Sequence, residues 1–273
     1  MMIPRAILIT GASRGLGASL AEIYAGPGVT LYLGGRNAER LDAVRRQCID
    51  CGADASVAAI DVTDRAAMDN WVAHADAQTP LDLVIANAAV TGGTRPGNLP
   101  EDLHRAQRLL SVNLFGQMNT IHPAMERMIP RRRGQVALVS SLAGYIGFPF
   151  SPAYCASKAA LKIYGESLRG LLIKHNVTVS VVCPGFMDTP MNETINSPMP
   201  FMISALDAAE RIKQQLSKGR RLICLPRRLY WLTLLQAAIP RSLSYAVMAR
   251  MSVSIPQTPV EDDIPPQTDA NSR

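Results

Sequence analysis

Charge is scarce in this chain. Asp, Glu, Lys and Arg make up 18% of its 273 residues against 48% hydrophobic ones, which is too little charge for a disordered polypeptide and enough apolar material for one large core. Cysteine is sparse and odd in number: Cys48, Cys51, Cys155, Cys183 and Cys224 lie scattered, which argues against a disulfide framework and for a reducing compartment. The single C-x-x-C, Cys48 to Cys51, lacks a second ligand pair, because His74, His104, His122 and His175 are not suitably spaced. No metal is expected, and the two thiols read as a helix end. Long apolar runs are missing as well: the uncharged stretch Leu229 to Ile239 falls short of the ~20 residues that a membrane-spanning helix needs. Only Met1 to Pro4 precede the first strand-like run, which leaves no room for a signal peptide. A cytoplasmic protein is expected.

The charge that is present is unevenly placed. Residues 254–273 carry four acids, one arginine and Pro256, Pro259, Pro265 and Pro266, and read as a flexible tail of net −3. The +6 of the whole chain therefore leaves +9 on the remainder. A basic body suits nucleic acid, a membrane surface or a phosphorylated small molecule. Apart from Arg131 to Arg133, read as a solvated helix-to-strand turn, the arginines are dispersed, so no nucleic-acid partner is expected.

Short apolar runs rich in β-branched residues recur between longer helical stretches: Ala6 to Thr10, Val29 to Leu33, Val57 to Ile60, Leu81 to Ala86, Val136 to Val139 and Val177 to Val182. They are continuously apolar, which fits strands of a parallel sheet covered on both faces. The expected fold is α/β, a doubly wound Rossmann-type sheet in a single domain over 1–253. Pro100, Glu101 and Asp102 start a helix expected to run to about Ile129, before Pro130. Ser151 and Pro152 read as N-cap and first residue of a helix to about Lys174. Ser204 with Asp207 resembles a capping box for a helix to Lys218, with Gly219 as its stop.

After the first strand comes Gly11-Ala12-Ser13-Arg14-Gly15-Leu16-Gly17, a turn that lets backbone approach a pyrophosphate and aims a helix N-terminus at its charge. The spacing is T-G-x-x-x-G-x-G, with Leu20 where G-x-G-x-x-G would place its third glycine. The second strand ends Leu33-Gly34-Gly35-Arg36, without the acid that NAD enzymes place on the ribose 2′-hydroxyl. Arg36 and Arg14 instead offer guanidinium groups to a 2′-phosphate, so the expected cofactor is NADP(H). Asp61-Val62 and Asn87 follow later strands and read as walls of the adenosine site.

Ser141 ends the fifth strand, and Tyr154 and Lys158 follow at i and i+4 on one helical face. An unperturbed Tyr has a pKa of about 10, and a neighbouring ammonium lowers it. Tyr154 can then exchange a proton with a substrate oxygen that Ser141 also hydrogen-bonds, as interconversion of C–OH and C=O requires.

The glycine pattern, Asp61-Val62, Asn87-Ala88-Ala89, a serine thirteen residues before Tyr154, Lys158 and Pro184-Gly185 stand in one order, and over residues 3 to 225 the chain resembles the compact branch of the short-chain dehydrogenase/reductase family. The resemblance implies Tyr154 as general acid/base, Ser141 as substrate-orienting hydroxyl and Lys158 as ligand of the nicotinamide ribose. It makes Asn113 the holder of a relay water. It places Gly11, Ser13, Arg14, Gly15, Leu16, Gly17, Arg36, Asp61, Val62, Asn87, Pro184, Gly185, Met187 and Thr189 at the cofactor. It also implies a homodimer or homotetramer pairing through the helices near Glu101–Ile129 and Ser151–Lys174. Ala89 replaces the family's usual glycine.

Residues 186–203, with Met187, Met191, Met199, Phe201 and Met202 among prolines, read as a substrate lid. Residues 227–253 read as a C-terminal helical extension, with Leu229, Leu232, Leu235 and Ile239 at helical spacing beside Trp231 and Tyr245. Arg227, Arg228, Arg241 and Arg250 flank that stripe, which closes the pocket, meets a second subunit or makes peripheral membrane contact. The expected activity is NADPH-dependent interconversion of a small-molecule carbonyl and a secondary alcohol by hydride transfer. The alternatives are an NADP-binding sensor or scaffold without turnover, or a lipid- or nucleotide-sugar-modifying enzyme of the same fold.

Overall fold

Successive residues of a strand point to opposite faces of its sheet, so a strand covered on both sides must be apolar at every position. β1 (Ala6–Thr10) meets that demand: Ile7 and Ile9 face one core and Ala6 and Leu8 the other, with all five residues buried. The computed structural model describes residues 3–240 except 96, 98 and 194–197, together with 242 and 244. β2 (Thr30–Gly35), β3 (Asp54–Ala59), β4 (Leu83–Ala86), β5 (Gln135–Val139), β6 (Thr178–Pro184) and β9 (Leu222–Leu225) complete a seven-stranded sheet of order β3-β2-β1-β4-β5-β6-β9. Every neighbouring pair in it is parallel.

α1 (Gly15–Tyr24), α2 (Ala38–Asp50) and α8 (Ala205–Ser217) cover one face through Leu16, Leu20, Leu41, Val44, Ile212 and Leu216. α3 (Arg65–Gln78), α5 (Gln117–Arg131) and α6 (Pro152–Leu172) cover the other, through Met68, Val72, Ile121, Met128 and Leu161. The chain leaves β1 towards β2 and later returns to pair β4 on the opposite side, so the loops after β1 and β4 diverge and open a crevice. Ligands of open α/β sheets bind in such a crevice.

Several expected boundaries change. The long helix begins at Asp102, whose carboxylate caps His104 and Arg105, and α4 (Leu103–Leu110) passes through a π turn, Ser111–Gly116, before α5. α5 does not stop before Pro130. Arg131 donates to both carboxylate oxygens of Asp76 and to the Leu81 carbonyl, which holds the last turn in place, and Arg132 at φ 51 ends it. Arg133 pairs with Asp82 at 2.8 Å while staying largely exposed, so the turn is solvated as expected at Arg132 and Arg133, and Arg131 is an ion-paired staple. β3 begins earlier than the apolar run because it is an edge strand with Asp54 and Ser56 exposed. β9 was not expected as a strand. Four residues of edge strand running straight into an apolar helix carry no periodicity of their own.

The segment expected to be a lid contains β7 (Met187–Asp188), α7 (Pro190–Glu193) and β8 (Ile203–Ser204), with β7 and β8 paired in parallel. Met187 and Ile203 pack on the core, so the two ends of the segment are anchored. α9 (Arg227–Ala238) does not form one apolar stripe: Leu229 and Tyr230 pack inward while Trp231, Leu232 and Leu235 are exposed. Arg241, Tyr245, Arg250 and the tail 254–273 lie outside the described residues. Among the described residues no helix is long and apolar enough to cross a membrane. Cys48 is buried on the core side of α2 while Cys51 caps its end exposed, so the C-x-x-C thiols face different surroundings. Among the described residues no group of three or more His, Cys, Asp or Glu could hold a metal ion.

Candidate active site

The glycine turn after β1 is shaped by backbone that side chains would block. Gly11 and Gly15 have φ of 66° and 56°, the left-handed region that glycine adopts without strain. A Cβ on Gly17 would stand 2.0 Å from the Gly11 carbonyl oxygen, so only glycine lets α1 start this close to the turn. Asn87, after β4, donates its side-chain amide to the carbonyls of Thr10 and Gly11, while its own N–H donates to the Thr10 hydroxyl. The two lips of the crevice are thereby tied together. The Ala12 N–H donates to the Gly34 carbonyl at 3.0 Å and draws the turn to the end of β2. Ser13 lies beside Gly35, and Arg14 and Arg36, both exposed, stand at this junction with no acid among residues 34–36. Leu16 is buried beneath the turn.

These features fit a dinucleotide: backbone that approaches closely, the N-terminus of α1, and two guanidinium side chains at the end of β2. Thr189 is brought over the turn, its methyl 3.4 Å from where a Cβ on Gly15 would be. Asp61 is paired with Arg108 of α4 at 2.9 Å. Burial pushes the Asp61 carboxyl up, but the Thr63 amide and hydroxyl and the Arg108 guanidinium outweigh it and hold it below its usual range. Arg108, partly buried here, has no sequence signal of its own, since nothing local distinguishes it from other helical arginines. Val62 turns its side chain into the core against Gly116.

At the C-terminal ends of β5 and β6, Ser141 stands near enough to the Tyr154 phenol to favour its ionised form, and its hydroxyl reaches the Pro184 carbonyl at 3.3 Å. The 3₁₀ turn after it, Leu142–Gly144, lies so close to α6 that a Cβ on Gly144 would be 2.9 Å from the Lys158 backbone. Ser140 donates to the Lys158 carbonyl at 2.7 Å. These contacts fix the register between Ser141 and Tyr154. α6 starts at Pro152, but the Ser151 hydroxyl bonds the Gly92 carbonyl instead of capping the helix. Glu101 accepts from the Ala153 N–H at 2.9 Å in its place, and burial raises that carboxyl above its ordinary range.

Lys158 is 1% exposed, its Nζ 5.7 Å from the Tyr154 ring centroid and 2.9 Å from the Val139 carbonyl to which it donates. The expectation that this ammonium lowers the Tyr154 pKa is corrected here. Burial pushes Tyr154 up to about 12 despite the nearby Ser141, and burial pulls Lys158 down to about 7. Both shifts have one cause: a site poor in water penalises whichever form is charged. Asn113, in the π turn, uses its side-chain amide on the Val90 N–H, the Val90 carbonyl and Ser157, which fastens the loop after β4 to α6.

One expected result concerns stability. Folded Lys158 titrates at about 7 against an ordinary 10.5, so between those values the unfolded chain binds more protons and stability rises with pH. Lys158→Met lacks this term. Wild type should therefore gain on the variant from about pH 7 to 9, by at most about 1.4 kcal/mol per pH unit, in denaturant melts at each pH. Above pH 9 Cys48, pushed up to about 11 by burial, adds a slope of the opposite sign to both proteins. A pH-independent difference between the two would refute the burial of a titrating amine.

Comparison with known proteins gives a consistent picture. Residues 5–200 match the family model described as short chain dehydrogenase. The chain is 35% identical over 248 residues to an uncharacterized oxidoreductase of Myxococcus xanthus, covering 90% of this chain and 97% of that one. It is 27% identical over 196 residues to the 3-oxoacyl-(acyl-carrier-protein) reductase FabG of Chlamydia pneumoniae, covering 71% and 78%. A solved short chain dehydrogenase from Mycobacterium paratuberculosis bound to NAD superposes with a TM-score of 0.71 at 24% identity over 81% of this chain and 95% of that one. At that identity the likeness establishes the fold.

Proposed function

The chain belongs to the short-chain dehydrogenase/reductase family, and from that premise we propose that it is an NADPH-dependent oxidoreductase interconverting a small-molecule carbonyl and a secondary alcohol. The observation that carries the reading is the meeting of Ser141, whose hydroxyl reaches the Pro184 carbonyl, with Tyr154 and, one helical turn on, the buried Lys158, beside the crevice. When bound, the nicotinamide supplies or accepts the hydride. Tyr154 supplies the proton: a phenol held at about 12 stays protonated at neutral pH and can donate to a carbonyl oxygen. Ser141 orients that oxygen and shares its developing charge. Lys158, when protonated, favours the phenolate left behind and offers Nζ to a ribose hydroxyl. Asn113 acts by positioning, because it joins the substrate-side loop to α6.

The absence of an acid after β2, with Arg14 and Arg36 in its place, supports NADPH over NADH. Exposed Phe115, Ile163 and Leu171 support pairing of subunits through the π turn and α6. Titration of the protein with each nucleotide tests the cofactor reading: NADPH should bind more tightly. Arg36→Asp should weaken NADPH by about 10- to 100-fold, from the ~1.5–3 kcal/mol of a charge-assisted hydrogen bond, and leave NADH the preferred ligand. Equal affinities in the wild type would sink the assignment. A panel of ketones, keto-acyl thioesters, steroids and sugars, followed by loss of NADPH absorbance, tests the reaction, and light scattering on the same preparation should show a dimer or tetramer.

A further inference from the structure

Cys183 of β6 and Cys224 of β9 are register partners on neighbouring parallel strands. Strands lie ~4.8 Å apart, inside the roughly 4.4–6.8 Å range of Cα separations that disulfides bridge. Register partners share a face. Here Cys183 and Cys224 join Val181, Leu142, Tyr145 and Leu229 on one side, while Val182, Ile223 and Leu225 face the other. The two thiols are close enough to shift each other's acidity in opposite directions. Cys183 is fully buried, whereas Cys224 is only partly buried.

The surroundings divide the labour between them. The Tyr145 hydroxyl lies 3.6 Å from the Cys224 sulfur, and Lys162 Nζ stands 4.8 Å from the Tyr145 ring centroid while pairing with Glu166 at 2.9 Å. The Cys183 thiol pulls the Cys224 thiol below its ordinary value, against burial, with help from Tyr145 and the Lys162 charge. The Cys224 thiol and burial push Cys183 up. A thiol stabilised as thiolate beside a protonated thiol donor is the arrangement of an attacking and a resolving cysteine.

We propose that Cys183 and Cys224 form a reversible thiol–disulfide pair, oxidised by peroxides, that disables the neighbouring site. The Cys224 thiolate attacks a peroxide oxygen: the S–O bond forms, the O–O bond breaks, and the departing hydroxide takes a proton to become water. The Cys183 sulfur then displaces the sulfenic oxygen, so the S–S bond forms, the S–O bond breaks and a second water leaves with the Cys183 proton. Two thiols are oxidised and one peroxide is reduced. A small dithiol reverses the step by exchange.

The consequence for the site, which rests on the function proposed above, follows from what adjoins Cys183. The next residue is Pro184, whose carbonyl accepts the Ser141 hydroxyl, and Gly185 donates to Leu225 at 2.6 Å. Opposed side chains on neighbouring strands stand ~4.8 Å apart at their bases, against a mean Cβ separation of ~3.8 Å across a disulfide, so closing the bond pulls the Cys183 and Cys224 side chains together and moves Pro184, and Ser141 with it.

The experiment uses the full chain. Reduced protein is treated with hydrogen peroxide, quenched, alkylated, digested without reductant and read by mass spectrometry alongside the rate of NADPH oxidation. A peptide pair linked through Cys183 and Cys224 is expected, with a fall in rate of about tenfold or more, the scale at which an ångström-sized displacement of a catalytic group is felt. Dithiothreitol should restore the rate. Cys224→Ser should keep the basal rate and resist peroxide, and Cys183→Ser should stop at sulfenic acid on Cys224. Absence of the linked peptide in folded wild type overturns the proposal, and so does a linked peptide with an unchanged rate. If the reduced protein turns over no carbonyl at all, that counts against the proposed reaction, and the linked peptide still decides the thiol pair.

Discussion

Tyr154→Phe should lower turnover by about 10³-fold while nucleotide affinity stays within about twofold of wild type, because a positioned proton donor contributes roughly 10²–10⁴. The substitution removes one oxygen and leaves the ring that Lys158 approaches at 5.7 Å. Ser141 loses the phenol as a neighbour but keeps the Pro184 carbonyl, so its hydroxyl stays near the reacting oxygen. The loss should therefore fall on kcat and leave nucleotide binding alone. Burial holds the phenol at about 12, so reduction by wild type should show no loss attributable to Tyr154 ionisation up to about pH 9. Single-turnover NADPH oxidation and nucleotide titration measure the two quantities separately. Turnover near the wild-type rate in Tyr154→Phe would remove Tyr154 from the mechanism.

Gly17→Ala is expected to be the most damaging single-methyl change in the cofactor turn. The added Cβ would sit 2.0 Å from the Gly11 carbonyl oxygen and 2.7 Å from the Asn87 amide nitrogen. The first obstacle is backbone, which cannot rotate aside, so α1 or the turn must shift. Overpacking of this kind costs about 1–3 kcal/mol. The shift also breaks the Asn87 bonds that join the two lips of the crevice, so nucleotide affinity should drop by about tenfold or more, the scale of one lost hydrogen bond of 1.4 kcal/mol. Gly26→Ala is the control, since a Cβ there has nothing within 4 Å and its φ is not positive. Thermal melts and NADPH titration of both variants check the result. A Gly17→Ala protein as stable and as tight-binding as Gly26→Ala would refute the close approach of α1 to the turn.

The sheet was legible in the sequence because its central strands are buried on both faces, and burial on both faces writes an unbroken apolar run. β1 was read to the residue. Legibility fades at the edges: β3 and β9 are partly exposed, so β3 starts outside its apolar run and β9 has no strand pattern of its own. Helix ends carried by local capping residues, such as Pro152 of α6 and Ser204 of α8, match their expectation, whereas the break between α4 and α5 does not. The π turn at Ser111–Gly116 leaves no mark in a helical pattern, because the pull of Asn113 towards Val90 comes from a distant loop.

The site divides along the same line. Spacing along the chain determined that a glycine turn, a basic residue after β2, and a serine, a tyrosine and a lysine would exist in this order, since each motif is local and its chemistry belongs to residue type. Only the tertiary structure decided their energetics. Tyr154 and Lys158 are neighbours on one helix, which suggested that the ammonium sets the phenol. Folding buried both and moved each towards its neutral form, because removal of water acts on every charge in the site, and Lys158, pulled down to about 7, carries only part of its charge at neutral pH. The replacement of Ser151 by Glu101 as the cap of α6, the pairing of Arg108 with Asp61 and the meeting of Cys183 with Cys224 join residues 41 or more positions apart. No local pattern encodes such contacts, because the packing that creates them is a property of the sheet and helices once assembled.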